Sequence, residues 1–176
     1  FWNIGGEGQF IVGAILSATV AFQLGGKLPT VIALLLMAAA AMVGAGLYGL
    51  IAASLKVRFG TNETLMTLML NYIVMYFIKY LMNTYLADKT KGQIQSYEFL
   101  ETSKIAPLID NGSKLSWGFV VAIACVVLIG LFIYNTRWGY TIRMIGINKD
   151  FAMYSGMKVG AVIVLAQVLG GVLAGM

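Results

Sequence analysis

Asn3, Glu7, Gln9 and Asn71 are the side chains on which chemistry inside this sequence would rest, because each lies beside or within a long apolar run. Amides in such places hydrogen-bond polar solutes or other helices, and a carboxylate there can relay a proton or an ion. Asn71 sits in TLMTLMLNYIVMYF with apolar neighbours on both sides. Its amide is costly unless it pairs with another helix or faces a wet cavity, so interhelical glue and solute contact are both open. The chain opens with FWNIGGEGQF, in which Gly5, Gly6 and Gly8 surround Glu7 and weaken a helix at that point. Two readings follow. One is a broken helix that exposes backbone ends near a solute path, as in transporters; the other is an ordinary N-terminal turn with Glu7 against the helix dipole. Histidine is absent, and Cys125 is the one cysteine, in the middle of a run. Metal clusters, disulfides and Cys/His catalysis are therefore disfavoured, and Cys125 reads as a small core residue.

The elements that position these groups follow from composition. Hydrophobic residues make up 60% of the chain, charged residues 11%, and the mean hydropathy is +0.85. A 19.0 kDa soluble domain could not bury that much apolar surface. Residues 8–26, 28–55, 115–136 and 159–176 carry no charge, and 64–87 carries only Lys79, which reads as snorkelling outward. Each run approaches or exceeds the ~20 residues that cross hydrocarbon, so an all-α polytopic bundle of about five spans is expected. The sequence starts without methionine and stops inside an apolar run, which reads as a piece of a larger membrane protein with further helices at both ends. The first run lacks a cationic flank and a clear cleavage site, so it does not read as a signal peptide.

Ala41, Ala45, Gly49 and Ala53 recur at four-residue spacing and form a small-residue stripe for close helix packing; Gly171 and Gly175 repeat the pattern. The same region spells GAGLYG, a dinucleotide fingerprint with neither a strand nor a soluble βαβ unit around it, so packing is the better reading. Two sequons occur, at Asn62 and Asn111; the first better caps the third helix through Thr61 or Asn62, and the second carries no weight. A pI near 9.4 is better read as topology than as affinity for nucleic acid, since no basic, aromatic-laced polar surface accompanies it. Lys56, Arg58, Arg137, Arg143, Lys149 and Lys158 lie on one side of a five-span chain. Lys27, Lys89, Lys91, Lys104 and Lys114 lie on the other, mostly in the longer loop 88–114 with its balancing acids. The positive-inside rule then puts loop 137–158 in the cytoplasm and loop 88–114 outside.

Within residues 137–160, Asn148 can cap a helix, Asp150 falls in its first turn and Gly156 can end it. Met144, Ile147, Phe151 and Tyr154 recur at spacings of three, four and three, giving one apolar face for the bilayer surface or for a groove on a cytoplasmic partner; so short a helix is a poor anchor, and the partner is the better reading. GYTIRMIGINKDFAMYSGM resembles the cytoplasmic loop of ABC importer permeases in the branched-chain amino acid, simple sugar and nucleoside group. Gly139, Arg143, Gly146, Asn148, Ala152 and Gly156 fall on that pattern; Met144, Lys149 and Phe151 depart from the commoner Ala, Pro and Ala. NIGGEGQ and the run from Val57 through RFGTNETLMTLMLNY resemble the nucleoside branch.

The resemblance implies a type II-like permease over residues 1–176 in a bacterial plasma membrane. It implies two permease subunits, identical or paralogous, around one path, cytoplasmic ATPase subunits below and an extracytoplasmic solute-binding protein above. ATP and Mg would belong to the ATPase, since no GxxxxGK[ST] loop occurs here and the chain needs no cofactor of its own. Arg143, Gly146, Asn148, Phe151, Ala152, Tyr154 and Gly156 would then form the coupling helix, and Asn3, Glu7, Gln9 and Asn71 the path. Loop 88–114 would meet the binding protein. Rival readings are a simple-sugar permease, a secondary transporter using Glu7 as a proton relay, and a membrane scaffold that transports nothing.

Overall fold

A computed structural model describes residues 3–24, 26–86 and 116–176; the expected outer loop 88–114 and the Asn111 sequon lie outside them. Seven α-helices are seen among the described residues. They are α1 (Gly6–Leu24), α2 (Thr30–Phe59), α3 (Glu63–Leu81), α4 (Gly118–Asn135), α5 (Arg137–Ile147), α6 (Lys149–Tyr154) and α7 (Val159–Gly175). A π-helical turn, Met82–Leu86, continues α3. The first four are long and apolar enough to cross a membrane; α7 is apolar and 17 residues long, at the short end of the spanning range. The five apolar runs thus appear as five apolar helices. α2 runs past the expected charge-free limit, because Lys56 and Arg58 occupy its last turn, where cations suit the dipole.

The chain divides into two compact units, one of residues 105–166 with Phe1, the other of residues 2–104 and 167–176. In the larger, α1 packs along α2 and touches α3, and α2 meets α3. Ala41, Ala45, Gly49 and Ala53 are all buried there. The α7 backbone runs against this stripe: a methyl group added to Gly171 would come within 2.6 Å of the Ala45 carbonyl oxygen, and one added to Gly49 within 3.0 Å of that of Gln167. In lipid, where apolar contact gives little advantage between helices, such close backbone approach is what holds them. At the α2–α3 turn, Gly60 takes the left-handed conformation (φ 64°) and Lys56 pairs with Glu63. Asn62 caps α3, its side chain accepting from Thr64 N at 3.0 Å.

In the smaller unit α4 is followed directly by α5. Thr136 makes the corner: its hydroxyl donates to the Phe132 carbonyl (2.7 Å) and accepts from Gly139 N (3.1 Å). Gly139 is needed there, since a Cβ would sit 2.3 Å from the Ile133 carbonyl oxygen. α5 departs from the sequence expectation of a plain loop at 137–147: Thr136 caps it, and Arg137 and Arg143 lie on a helix.

Candidate functional site

The start of α1 is the polar centre of the larger unit. The helix begins at Gly6, so Gly5 is its N-cap position and offers no side chain to the first-turn N–H groups. Asn71, on α3, supplies the missing acceptor: its Oδ1 accepts from Gly8 N at 2.9 Å, and its Nδ2 donates to the Ile4 carbonyl at 3.0 Å. The approach is close enough that a Cβ on Gly8 would meet Oδ1 at 2.6 Å. Asn71 thus caps another helix from the side. Asn3 extends the network. Its Oδ1 accepts from Gly5 N and from Gln167 Nε2, and its Nδ2 donates to Gln9 Oε1, all at 3.0 Å. Tyr48 on α2 donates to the Leu70 carbonyl at 2.7 Å, fastening α2 to α3 beside the network.

Of the four residues expected here, Asn3, Gln9 and Asn71 are brought together and Glu7 is not. Gln9 and Asn71 are buried, Asn3 is half-buried and Glu7 is exposed. The reason is helical: with α1 starting at Gly6, positions 7 and 9 differ by about 200° around the axis. Gln167 joins the network unannounced. It is 1% exposed, and its Oε1 meets no donor among the described residues. Its signal was present, since an amide inside the apolar run VLAQVLGG poses the same problem as Asn71.

In the smaller unit, Asn148 ends α5 and starts α6. Its backbone is extended (φ −149°, ψ 104°) and its Oδ1 accepts from Phe151 N at 3.0 Å. α6 closes with paired bonds, Gly156 N to the Met153 carbonyl (3.0 Å) and Met157 N to the Ala152 carbonyl (3.1 Å), around Gly156 at φ 76°. That is the Schellman arrangement, and glycine suits it because a side chain in the left-handed region is strained. Nothing crowds Gly156 or Gly146, so conformation rather than space selects Gly156. Ala152 is fully buried, whereas Phe151 and Tyr154 are exposed, Tyr154 at 94%. The extended Asn148 corrects one expectation: Met144 and Ile147 belong to α5, Phe151 and Tyr154 to α6, and the four do not share one helical face. Arg143 lies with its guanidinium 5.0 Å from the centre of the Tyr134 ring, tying α5 back to α4.

The sequence matches the family described as branched-chain amino acid transport system / permease component over residues 1–176. The chain belongs to that family. It is 32% identical over 178 residues to the guanosine ABC transporter permease protein of Bacillus subtilis, covering 99% of this chain and 50% of the relative. It is 30% identical over 183 residues to the nucleoside ABC transporter permease protein of Lactococcus lactis, with the same two coverages. A glucose ABC transporter permease protein of Haloferax volcanii is 30% identical over 182 residues, covering 98% of this chain and 47% of the relative. The chain therefore spans about half the length of these relatives. No solved structure matches it significantly. Family and apolar helices together make it a multi-pass membrane protein.

Proposed function

We propose that this chain is part of the membrane permease subunit of an ABC importer in a bacterial plasma membrane, and that its solute is a nucleoside. The supporting observation is similarity over nearly the whole chain to permeases named for guanosine and nucleosides. Asn3, Gln9, Asn71 and Gln167 form one wall of the path, and the open acceptor of Gln167 Oε1 is where a solute or water donor would bond. Glu7, on the other side of α1, faces a separate part of the path. Uncharged amides suit the hydrogen-bonding edges of a base or ribose.

The chain carries no phosphate-binding loop, so a cytoplasmic ATPase subunit binds ATP and Mg and does the hydrolysis. Residues 148–156 are the coupling helix, with Phe151 and Tyr154 in a groove of the ATPase. Arg143, Gly146, Asn148, Ala152 and Gly156 shape the loop around them. Closure of the ATPase dimer pushes this helix and rocks the bundle, alternating access. A second permease subunit completes the path, and an extracytoplasmic binding protein meets loop 88–114.

The sugar reading has one observation behind it, the glucose permease relative. Full-length subunit, ATPase and binding protein reconstituted in liposomes decide between them. ATP-dependent import of labelled guanosine, uncompeted by excess hexose, is the expected result. Import of glucose instead refutes the nucleoside assignment, and uptake driven by a proton gradient without ATPase refutes the importer.

A further inference from the structure

α5 joins a spanning helix to α6, and the span fixes its depth. α4 has 18 residues, about 27 Å of helix and close to the thickness of hydrocarbon, so Asn135 stands at the headgroup level. α5 begins two residues later and is folded back on that end, where a Cβ on Gly139 would run into the carbonyl oxygens of Phe132 and Ile133. Further along, the Arg143 guanidinium lies 5.0 Å from the ring centre of Tyr134, in the last turn of α4. The first two turns of α5 are thereby held where the span leaves the membrane.

Around the axis of α5, Arg143, Ile147, Tyr140, Met144 and Arg137 follow one another within about 120°. The arc is an apolar strip with an arginine on each edge. Ile147 is 81% exposed, Tyr140 is 51% exposed, and both arginines are exposed. α5 has no acidic residue, and neither arginine meets a carboxylate among the described residues. Such a strip complements the edge of a leaflet, apolar below and phosphate at either side. A helix this short is a weak anchor by itself, but α5 is tethered to a span and has only to rest where the span leaves it. The ATPase is the poorer occupant, because it would have to enter the headgroup layer to reach an arc whose edge lies on Tyr134. A further span is poorer too: it would need acids against both edges, whereas anionic lipid presents phosphate along the whole strip.

We propose that α5 lies in the plane of the membrane surface, with Tyr140, Met144 and Ile147 at the acyl boundary and Arg137 and Arg143 on the phosphates of anionic phospholipids. The inference rests on the multi-pass topology and not on which solute is carried.

The complete transporter tests it, its full-length subunit freed of other cysteines and carrying a nitroxide on Ile147→Cys, in vesicles of phosphatidylcholine and phosphatidylglycerol. Dissolved oxygen should relax the label strongly and a water-soluble nickel chelate weakly, the pattern of the acyl boundary. Tyr140→Cys carries the same test where the Ile147 variant does not assemble. Each arginine beside an anionic surface favours it by about fivefold. Arg137→Gln combined with Arg143→Gln, or omission of phosphatidylglycerol, should therefore move the label's equilibrium toward water by roughly 25-fold. A label relaxed by the nickel chelate in the unaltered protein puts the arc in water. A label shielded from both reagents puts it against the ATPase or another helix. Either result overturns the proposal, and so does a depth that ignores both the arginines and the phosphatidylglycerol. The readout is the label rather than uptake, so failure here and failure of the nucleoside assignment are separate results.

Discussion

Replacing Asn71 with leucine removes a cap that one helix supplies to another. Leucine has similar bulk, so the change strips two hydrogen bonds while leaving little void: Gly8 N to Oδ1 (2.9 Å) and Nδ2 to the Ile4 carbonyl (3.0 Å). Gly8 is buried and its N–H lies in the first turn of α1, beyond reach of an intrahelical acceptor. Loss of a helix N-cap costs about 0.5–2 kcal/mol. The bond to the Ile4 carbonyl is half-buried, and its loss adds to that cost. A net loss of about 1–2 kcal/mol corresponds to a fall of roughly 1–4 °C in the unfolding midpoint of a subunit about twice this chain's length. It also corresponds to about 5- to 30-fold faster exchange of the Gly8 amide by local opening. Thermal unfolding of the purified full-length subunit in detergent measures the first, and hydrogen exchange of peptides covering residues 4–10 the second. Gly8→Ala attacks the same bond from the other side, since its Cβ would stand 2.6 Å from Oδ1. The double variant should therefore lose less than the sum of the singles. Unchanged stability and exchange in Asn71→Leu, or full additivity with Gly8→Ala, would falsify the capping argument.

Gly156→Ala forces a side chain into the left-handed region at φ 76° and should weaken the end of α6 by about 1–2 kcal/mol, read as faster amide exchange at Gly156 and Met157. Phe151→Asp combined with Tyr154→Asp should release the ATPase from the purified complex, each aromatic being worth roughly 1.5–3 kcal/mol when buried at an interface; co-purification at normal stoichiometry would remove these residues from the coupling surface. Gln167→Leu loses the bond to Asn3 Oδ1 but also an acceptor that has no donor. Its thermal midpoint should accordingly shift less than that of Asn71→Leu, and a larger shift would show that Oε1 is satisfied after all.

The spans were legible because lipid leaves little choice: uncharged runs of sufficient length become helices. The ends of α6 were legible too, since Asn148 and Gly156 do local work that neighbours in space do not alter. α5 was not. Arg137 and Arg143 sit on a helix whose polarity broke the apolar pattern, and the stop at Asn148 came from backbone geometry rather than composition. Asn71 stood out as an amide alone in an apolar run, while its partner proved to be a backbone N–H of α1, which no side-chain pattern could reveal. Glu7 was grouped with Gln9 by proximity in sequence, and the helix beginning at Gly6 separates them onto different faces. Gln167 was readable by the logic applied to Asn71 and gained meaning only once Asn3 was found beside it.

Two kinds of contact hold the larger unit together, and both are specific in position. The stripe of Ala41, Ala45, Gly49 and Ala53 sets how near α1 and α7 come to α2, with Gly171 and Gly175 against its carbonyls. The amides add directed bonds. Asn71 reaches α1 only where Gly8 presents its N–H, and Gln167 reaches Asn3 only at one height along α7. Both sets of bonds converge on residues 3–9, where the glycines leave the backbone bare. Sliding α7 would move Gly171 and Gly175 off the Ala45 and Ala41 carbonyls and strain the Gln167–Asn3 bond at the same time. The small-residue contacts and the polar network therefore select the same arrangement of α1, α2 and the C-terminal half of α7.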